Sequence, residues 1–198
     1  MYKAMLVDDE YMILEGLKQI IPWKELGFEI VKTAKRAMEA VDYLKENEID
    51  LLITDVTMPK MSGIDLVKMS KDIQPDLAVL ILSGYQEFEY VKQGMELGVK
   101  GYLVKPFNKE KKNKKVSLIK NELDERKLVD SQREMYQGSM IQKWLNDEMN
   151  EDEFRHLLKD LDVTESDEYS VVIVNQIETW TSLKNYSKKY KQFFTVET

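Results

Sequence analysis

The chain contains no cysteine, so disulfides and thiolate-ligated metal sites are excluded. That absence fits a reducing compartment. Histidine is nearly absent too: His156 stands alone, which argues against any mechanism needing two histidines on this chain. No apolar run approaches the length that spans a bilayer. The N-terminus offers one lysine and then Asp8, Asp9 and Glu10, which is not a secretory signal. Neither Gly-x-x-x-x-Gly-Lys-[Ser/Thr] nor Gly-x-Gly-x-x-Gly occurs, so the two familiar nucleotide-binding loops are ruled out. An excess of positive charge is also lacking. Lysine and arginine number 29 against 36 acids, and the net charge of −7 disfavours non-specific nucleic-acid binding by the whole chain. Internal repeats and low-complexity segments are missing as well.

What is present is an ordinary globular composition, 43% hydrophobic and 33% charged over 198 residues. That length suffices for one full core and part of another. The most informative stretch is residues 50–63. Leu51-Leu52-Ile53 leads into Asp55, and Pro59, Ser62 and Gly63 follow. A short apolar run bounded by turn residues reads as a buried strand, so Asp55 sits where a strand leaves a sheet.

The first 105 residues alternate strand and helix five times. Strands are expected over 3–7, 28–34, 51–54, 78–82 and 101–104. Helices are expected over 11–21, 36–45, from 63 onward, and over 87–97. The third carries Ile64, Val67 and Met69 on its apolar face, the fourth Phe88, Val91 and Met95. Gly98 ends the fourth helix. This rhythm predicts an α/β fold: a parallel five-stranded sheet covered by helices on both faces. Ligands of such sheets bind beyond the carboxyl ends of the strands. Asp8, Asp9, Asp55, Ser83 and Lys105 all stand at such ends. Three converging carboxylates repel one another, and a hard divalent cation relieves that repulsion. A nucleophilic carboxylate, a metal and a lysine are the parts that phosphoryl transfer needs, with Asp55 as nucleophile.

Residues 109–115 hold five lysines and no apolar residue, and read as a solvated stretch with frayed helical turns. Helical patterning resumes at Val116, Ile119 and Leu123. Residues 123–150 read as an exposed helical linker. Phe154, Leu157, Leu158 and Leu161 suggest a short helix containing His156, which reads as a plain helix residue. Residues 171–174 form a strand candidate. The expected division is therefore 1–122, 123–150 and 151–198.

Residues 1–122 resemble the receiver domain of bacterial two-component response regulators, a flavodoxin-like fold. The matching features are Asp8-Asp9, Asp55 followed by Pro59 and Gly63, Ser83-Gly84, Tyr102 and Lys105-Pro106. The resemblance implies sheet order 2-1-3-4-5. It implies a cytoplasmic, non-enzymatic switch in which Asp55 takes a phosphoryl group from a sensor histidine kinase. Magnesium would be held by Asp8, Asp9, Asp55 and the backbone carbonyl of Thr57. Lys105 would pair with the phosphate, Ser83 would move toward it, and Tyr102 would rotate inward. The Lys105–Pro106 bond would be cis. The face formed by the fourth helix, fifth strand and fifth helix would then change, with homodimerisation on phosphorylation. Residues 84–90, Val7-Asp8-Asp9-Glu10-Tyr11 and Ile21-Pro22-Trp23 look like the subgroup with an AraC-type DNA-binding domain. No tandem helix-turn-helix pattern is seen in 123–198, so the chain looks like such a regulator cut short, and 151–198 like a fragment of a middle α+β region. DNA binding is expected only if that domain lies beyond this chain. The alternatives are a stand-alone phosphorylation-dependent interaction module and a phosphatase of the haloacid dehalogenase kind. That phosphatase family places Asp-x-Asp after its first strand, whereas Asp55-Val56-Thr57 follows the third and lacks the second acid.

Overall fold

The computed structural model describes residues 1–84, 88–105, 109–146 and 148–160. The chain divides into two compact units, Met1–Glu125 and Arg126–Thr198.

In the first unit, five strands alternate with helices: β1 (Tyr2–Val7), α1 (Tyr11–Ile20), β2 (Phe28–Ala34), α2 (Ala37–Glu46), β3 (Leu51–Asp55), α3 (Gly63–Ile73), β4 (Ala78–Ser83), α4 (Phe88–Glu96) and β5 (Gly101–Val104). All pairings are parallel, in the order β2-β1-β3-β4-β5. The expected sheet and its order are thus observed. β3 and β4 are buried along their whole length, as strands covered on both faces must be. Alternate residues feed two cores. Met5, Val7, Leu52, Val79 and Ile81 meet α2 and α3 on one face. Leu6, Leu51, Ile53, Leu80 and Leu82 meet Leu14, Leu17, Val116 and Ile119 on the other. A period of two along each strand makes this sorting automatic.

Three details depart from the sequence reading. Met69 and Met95 are exposed. On α4, Gly94 occupies the buried position instead, close against the Ile81 side chain. The lysine run is helical rather than frayed: α5 is one helix from Lys109 to Leu145. Lysine is a good helix former, and its alkyl stem packs on apolar surface. Lys112 is fully buried, so the solvated reading fails there. Burial pushes its ammonium below the ordinary lysine value.

The second unit contains the end of α5 and a further helix, α6 (Glu151–Asp160), where a short helix was expected. Met140 and Ile141 pack on Leu157 and Met149, and Trp144 stacks on Phe154 with ring centroids 5.5 Å apart. The strand expected over 171–174 lies outside the described residues. Among the described residues, no helix is long and apolar enough to cross a membrane.

β1 and α5 are tied by Tyr2, whose hydroxyl donates to Asp124 Oδ1 at 2.8 Å. Burial, followed by Asp124, pushes the Tyr2 hydroxyl up to about 12. The folded state therefore favours neutral tyrosine. That contribution is complete below about pH 10, the ordinary tyrosine value, and is lost as pH rises through about 12. Tyr2→Phe should cost about 0.5 kcal/mol at neutral pH, the low end for an exposed hydrogen bond. Denaturant unfolding should show the gap between wild type and Tyr2→Phe closing above pH 10; a constant gap would refute the assignment.

Candidate phosphoacceptor site

The order of the sheet brings four strand ends together. β3 lies between β1 and β4, and Asp55 is its last residue. Asp8 and Asp9 follow β1, Ser83 ends β4, and Lys105 follows β5. Backbone hydrogen bonds continue past the strands and fix these ends: Asp8 N–H to the Ala34 carbonyl, Val56 N–H to that of Leu82, and Lys105 N–H to that of Ser83.

The Lys105 ammonium lies 2.9 Å from Asp8 Oδ2 and 2.9 Å from Asp55 Oδ1. Glu10 stands farther off at 3.8 Å. Asp8 is fully buried, Asp55 nearly so, and the Lys105 side chain is 20% exposed. The other Asp8 oxygen accepts the Glu10 N–H at 2.9 Å. Asp9 is exposed beside them, and Asp8, Asp9 and Asp55 each offer an oxygen within 4.8 Å of the others.

Burial pushes the Asp8 carboxyl above the ordinary carboxylate range, against the opposing hydrogen bonds from Lys105 and from the Glu10 N–H. Burial also works against the Lys105 charge, but hydrogen bonds to Asp55 and Asp8 outweigh it and hold the ammonium above the ordinary lysine value. Among the described residues, the one ammonium paired with the cluster, that of Lys105, faces three carboxylates. The surplus negative charge, presented by oxygen donors alone, is the donor set of a hard divalent cation, and the cluster can hold a metal ion.

Ser83 is buried at the end of β4. Thr57 is exposed, two residues beyond Asp55. Tyr102, opposite Ile81 on β5, is 43% exposed. Pro106, and with it the Lys105–Pro106 bond, lies outside the described residues, as do 85–87 of the subgroup motif.

Sequence reasoning missed three supports. Glu10 fixes Asp8 through its backbone. Thr54 donates its hydroxyl to the Asp55 carbonyl at 3.0 Å. Gly63 fits a turn by sequence, yet its role is close approach: a Cβ there would lie 1.9 Å from the Asp55 carbonyl oxygen. The loop between them closes with Gly63 N–H on the Val56 carbonyl and a Ser62–Asp65 capping box opening α3. Lys60 within it has φ 72°, a left-handed conformation uncommon for a residue with a side chain.

Because backbone cannot yield as a side-chain tip can, Gly63→Ala should destabilise the fold by at least about 2 kcal/mol. Urea unfolding of the variant measures this, and a loss within error of zero would show that the loop relaxes freely.

Comparison with known proteins places these observations in a family. Residues 4–117 match the response regulator receiver domain. The uncharacterized transcriptional regulatory protein YesN of Bacillus subtilis is 42% identical over 110 residues, 56% of this chain and 30% of YesN. The transcriptional regulatory protein HptR of Staphylococcus aureus is 43% identical over 106 residues, 54% of this chain and 41% of HptR. The chain thus spans less than half the length of these curated relatives. The receiver domain of AraT, a response regulator from Geobacillus stearothermophilus, is 31% identical, with a TM-score of 0.61 over 64% of this chain and 98% of that one. With the α/β sheet, the acid cluster and the family match over more than half its length, the chain belongs to the response regulator receiver-domain family.

Proposed function

We propose that the chain is a phosphorylation-dependent response regulator and that Asp55 is its phosphoacceptor. The observation that carries this reading is the shared ammonium of Lys105, 2.9 Å from both Asp8 and Asp55 at the carboxyl edge of the sheet. It pairs one oxygen of Asp55 with a cation at the strand end where an incoming phosphoryl group would bind.

In the proposed reaction an Asp55 carboxylate oxygen attacks the phosphorus of a phosphohistidine on a sensor kinase. A P–O bond forms, the P–N bond breaks, and the imidazole leaves with the electron pair and takes up a proton. Asp8, Asp9, Asp55 and the Thr57 carbonyl would hold magnesium, which offsets charge on the transferring oxygens when bound. Lys105 exchanges part of its pairing with Asp55 for a phosphoryl oxygen. Ser83, buried one strand away, donates its hydroxyl to another. Phosphorylation adds charge and strong acceptors at one strand end. Tyr102, outward in this structure, would turn inward as Ser83 moves, altering the α4–β5–α5 face. No turnover of an external substrate is part of this reading; phosphorylation and its reversal are the only chemistry.

The output is proposed from the relatives. YesN and HptR are named as transcriptional regulatory proteins, and the match covers 30% of YesN and 41% of HptR. We therefore propose a cytoplasmic role in transcriptional control, with DNA contacted only if a DNA-binding region is joined to the receiver.

Incubation with a small-molecule phosphodonor and magnesium tests the assignment. Intact-mass analysis should show one phosphoryl group on wild type and none on Asp55→Asn. Stoichiometric labelling of Asp55→Asn at another residue would overturn it.

A further inference from the structure

Glu10 opens α1 but does not cap it. Its backbone is extended, with φ −85° and ψ 106°, and its side chain makes no capping hydrogen bond. Glutamate is also outside the usual N-cap residues, which are short acceptors such as Ser, Asp and Asn. The carboxylate turns instead toward the acid cluster, where Oε1 lies 3.8 Å from the Lys105 ammonium. The Glu10 side chain is 65% exposed, against 0% for Asp8 and 8% for Asp55. The ammonium therefore has two buried acids at 2.9 Å and a third, water-facing acid farther out. Asp8, Asp9 and Asp55 bring their oxygens within 4.8 Å of one another, and Glu10 is not of that set.

From this we infer that Glu10 is a positioning residue for the metal site: it receives the Lys105 ammonium when Asp8 and Asp55 turn to a divalent cation. The inference rests on the metal reading of the cluster, and its test needs no phosphodonor. Three observations select this role. Lys105 and a divalent cation compete for the same oxygens. Asp8 Oδ1 accepts the Glu10 N–H, so Oδ2 is the oxygen left to Lys105, and Asp55 Oδ1 is held by the same ammonium. Two cations on these oxygens repel each other. Next, the Lys105 side chain is only 20% exposed, so an ammonium that releases both acids has little water to replace them. A poorly hydrated, unpaired charge is costly, and a new partner offsets that cost. Finally, Glu10 needs only a small movement. Its side chain is long and exposed, and closing 3.8 Å to about 2.8 Å completes a charge-assisted hydrogen bond. One residue thus orients Asp8 through its N–H and relieves it of its counter-ion through its carboxylate.

Titration of the isotope-labelled full chain with Mg2+ alone, followed by amide NMR shifts, measures the affinity of the site. Glu10→Gln should raise the Mg2+ dissociation constant roughly fivefold, the low end for coupling between two bound groups. In a Lys105→Met background the same substitution should change it less than about twofold, because the ammonium that Glu10 serves is gone. A structure of the Mg2+-loaded wild type needs no variant to fold, and should bring Lys105 Nζ within about 3 Å of a Glu10 oxygen. Three results would each overturn the role: an unchanged constant in Glu10→Gln, an equal loss without Lys105, or an ammonium still seated on Asp8 and Asp55 in the loaded structure. Wild type that binds no Mg2+ would overturn the metal reading and this role together. Wild type that binds normally, with Glu10→Gln indistinguishable from it, would overturn this role alone.

Discussion

Lys105 holds its ammonium 2.9 Å from two carboxylates, Asp8 and Asp55, in a site where neither acid has much access to water. Isolated buried charges are costly, and this contact makes the concentration of acid at the sheet edge tolerable. It does so incompletely. Asp8 remains above the ordinary carboxylate range because burial outweighs the hydrogen bonds it receives. Among the described residues the site thus gathers more carboxylates than cations, which is the electrostatic condition for taking up a metal ion and, in the function proposed here, a phosphoryl group that needs one.

The constraint propagates into the fold. Lys105 reaches both acids only because β5 ends beside β4, and β4 beside β3, with β1 on the far side of β3. The registers Asp55 to Leu82 and Ser83 to Val104 set these ends level. The two cores on either face hold the strands there, and Gly63 lets α3 start against the Asp55 carbonyl. Substitutions far from the acids can therefore alter the site through strand register or loop path without touching a charged group.

Much of this was legible in the sequence for physical reasons. Uniformly apolar runs such as residues 78–82 mark strands buried on both faces, and acids placed directly after such runs mark the carboxyl edge. The five alternations left little choice of fold class. Other features were not legible. The lysines of 109–115 carry no apolar periodicity, yet they continue a helix, because lysine propagates helix well and its stem can be buried as at Lys112. Met69 and Met95 fit a helical period but face out, because periodicity gives a face only to within a residue or so. Gly63 and Thr54 act through the Asp55 backbone, a contact that no side-chain pattern announces.

The central claim is that Asp55, rather than its neighbours, carries the phosphoryl group. Borohydride reduction of the phosphorylated chain, followed by peptide sequencing, tests it most directly, since reduction of an aspartyl phosphate leaves homoserine at the modified position. Homoserine is expected at residue 55 alone. Homoserine at residue 8 or 9, or a stable phosphoryl group on His156 or a hydroxyl side chain, would contradict it.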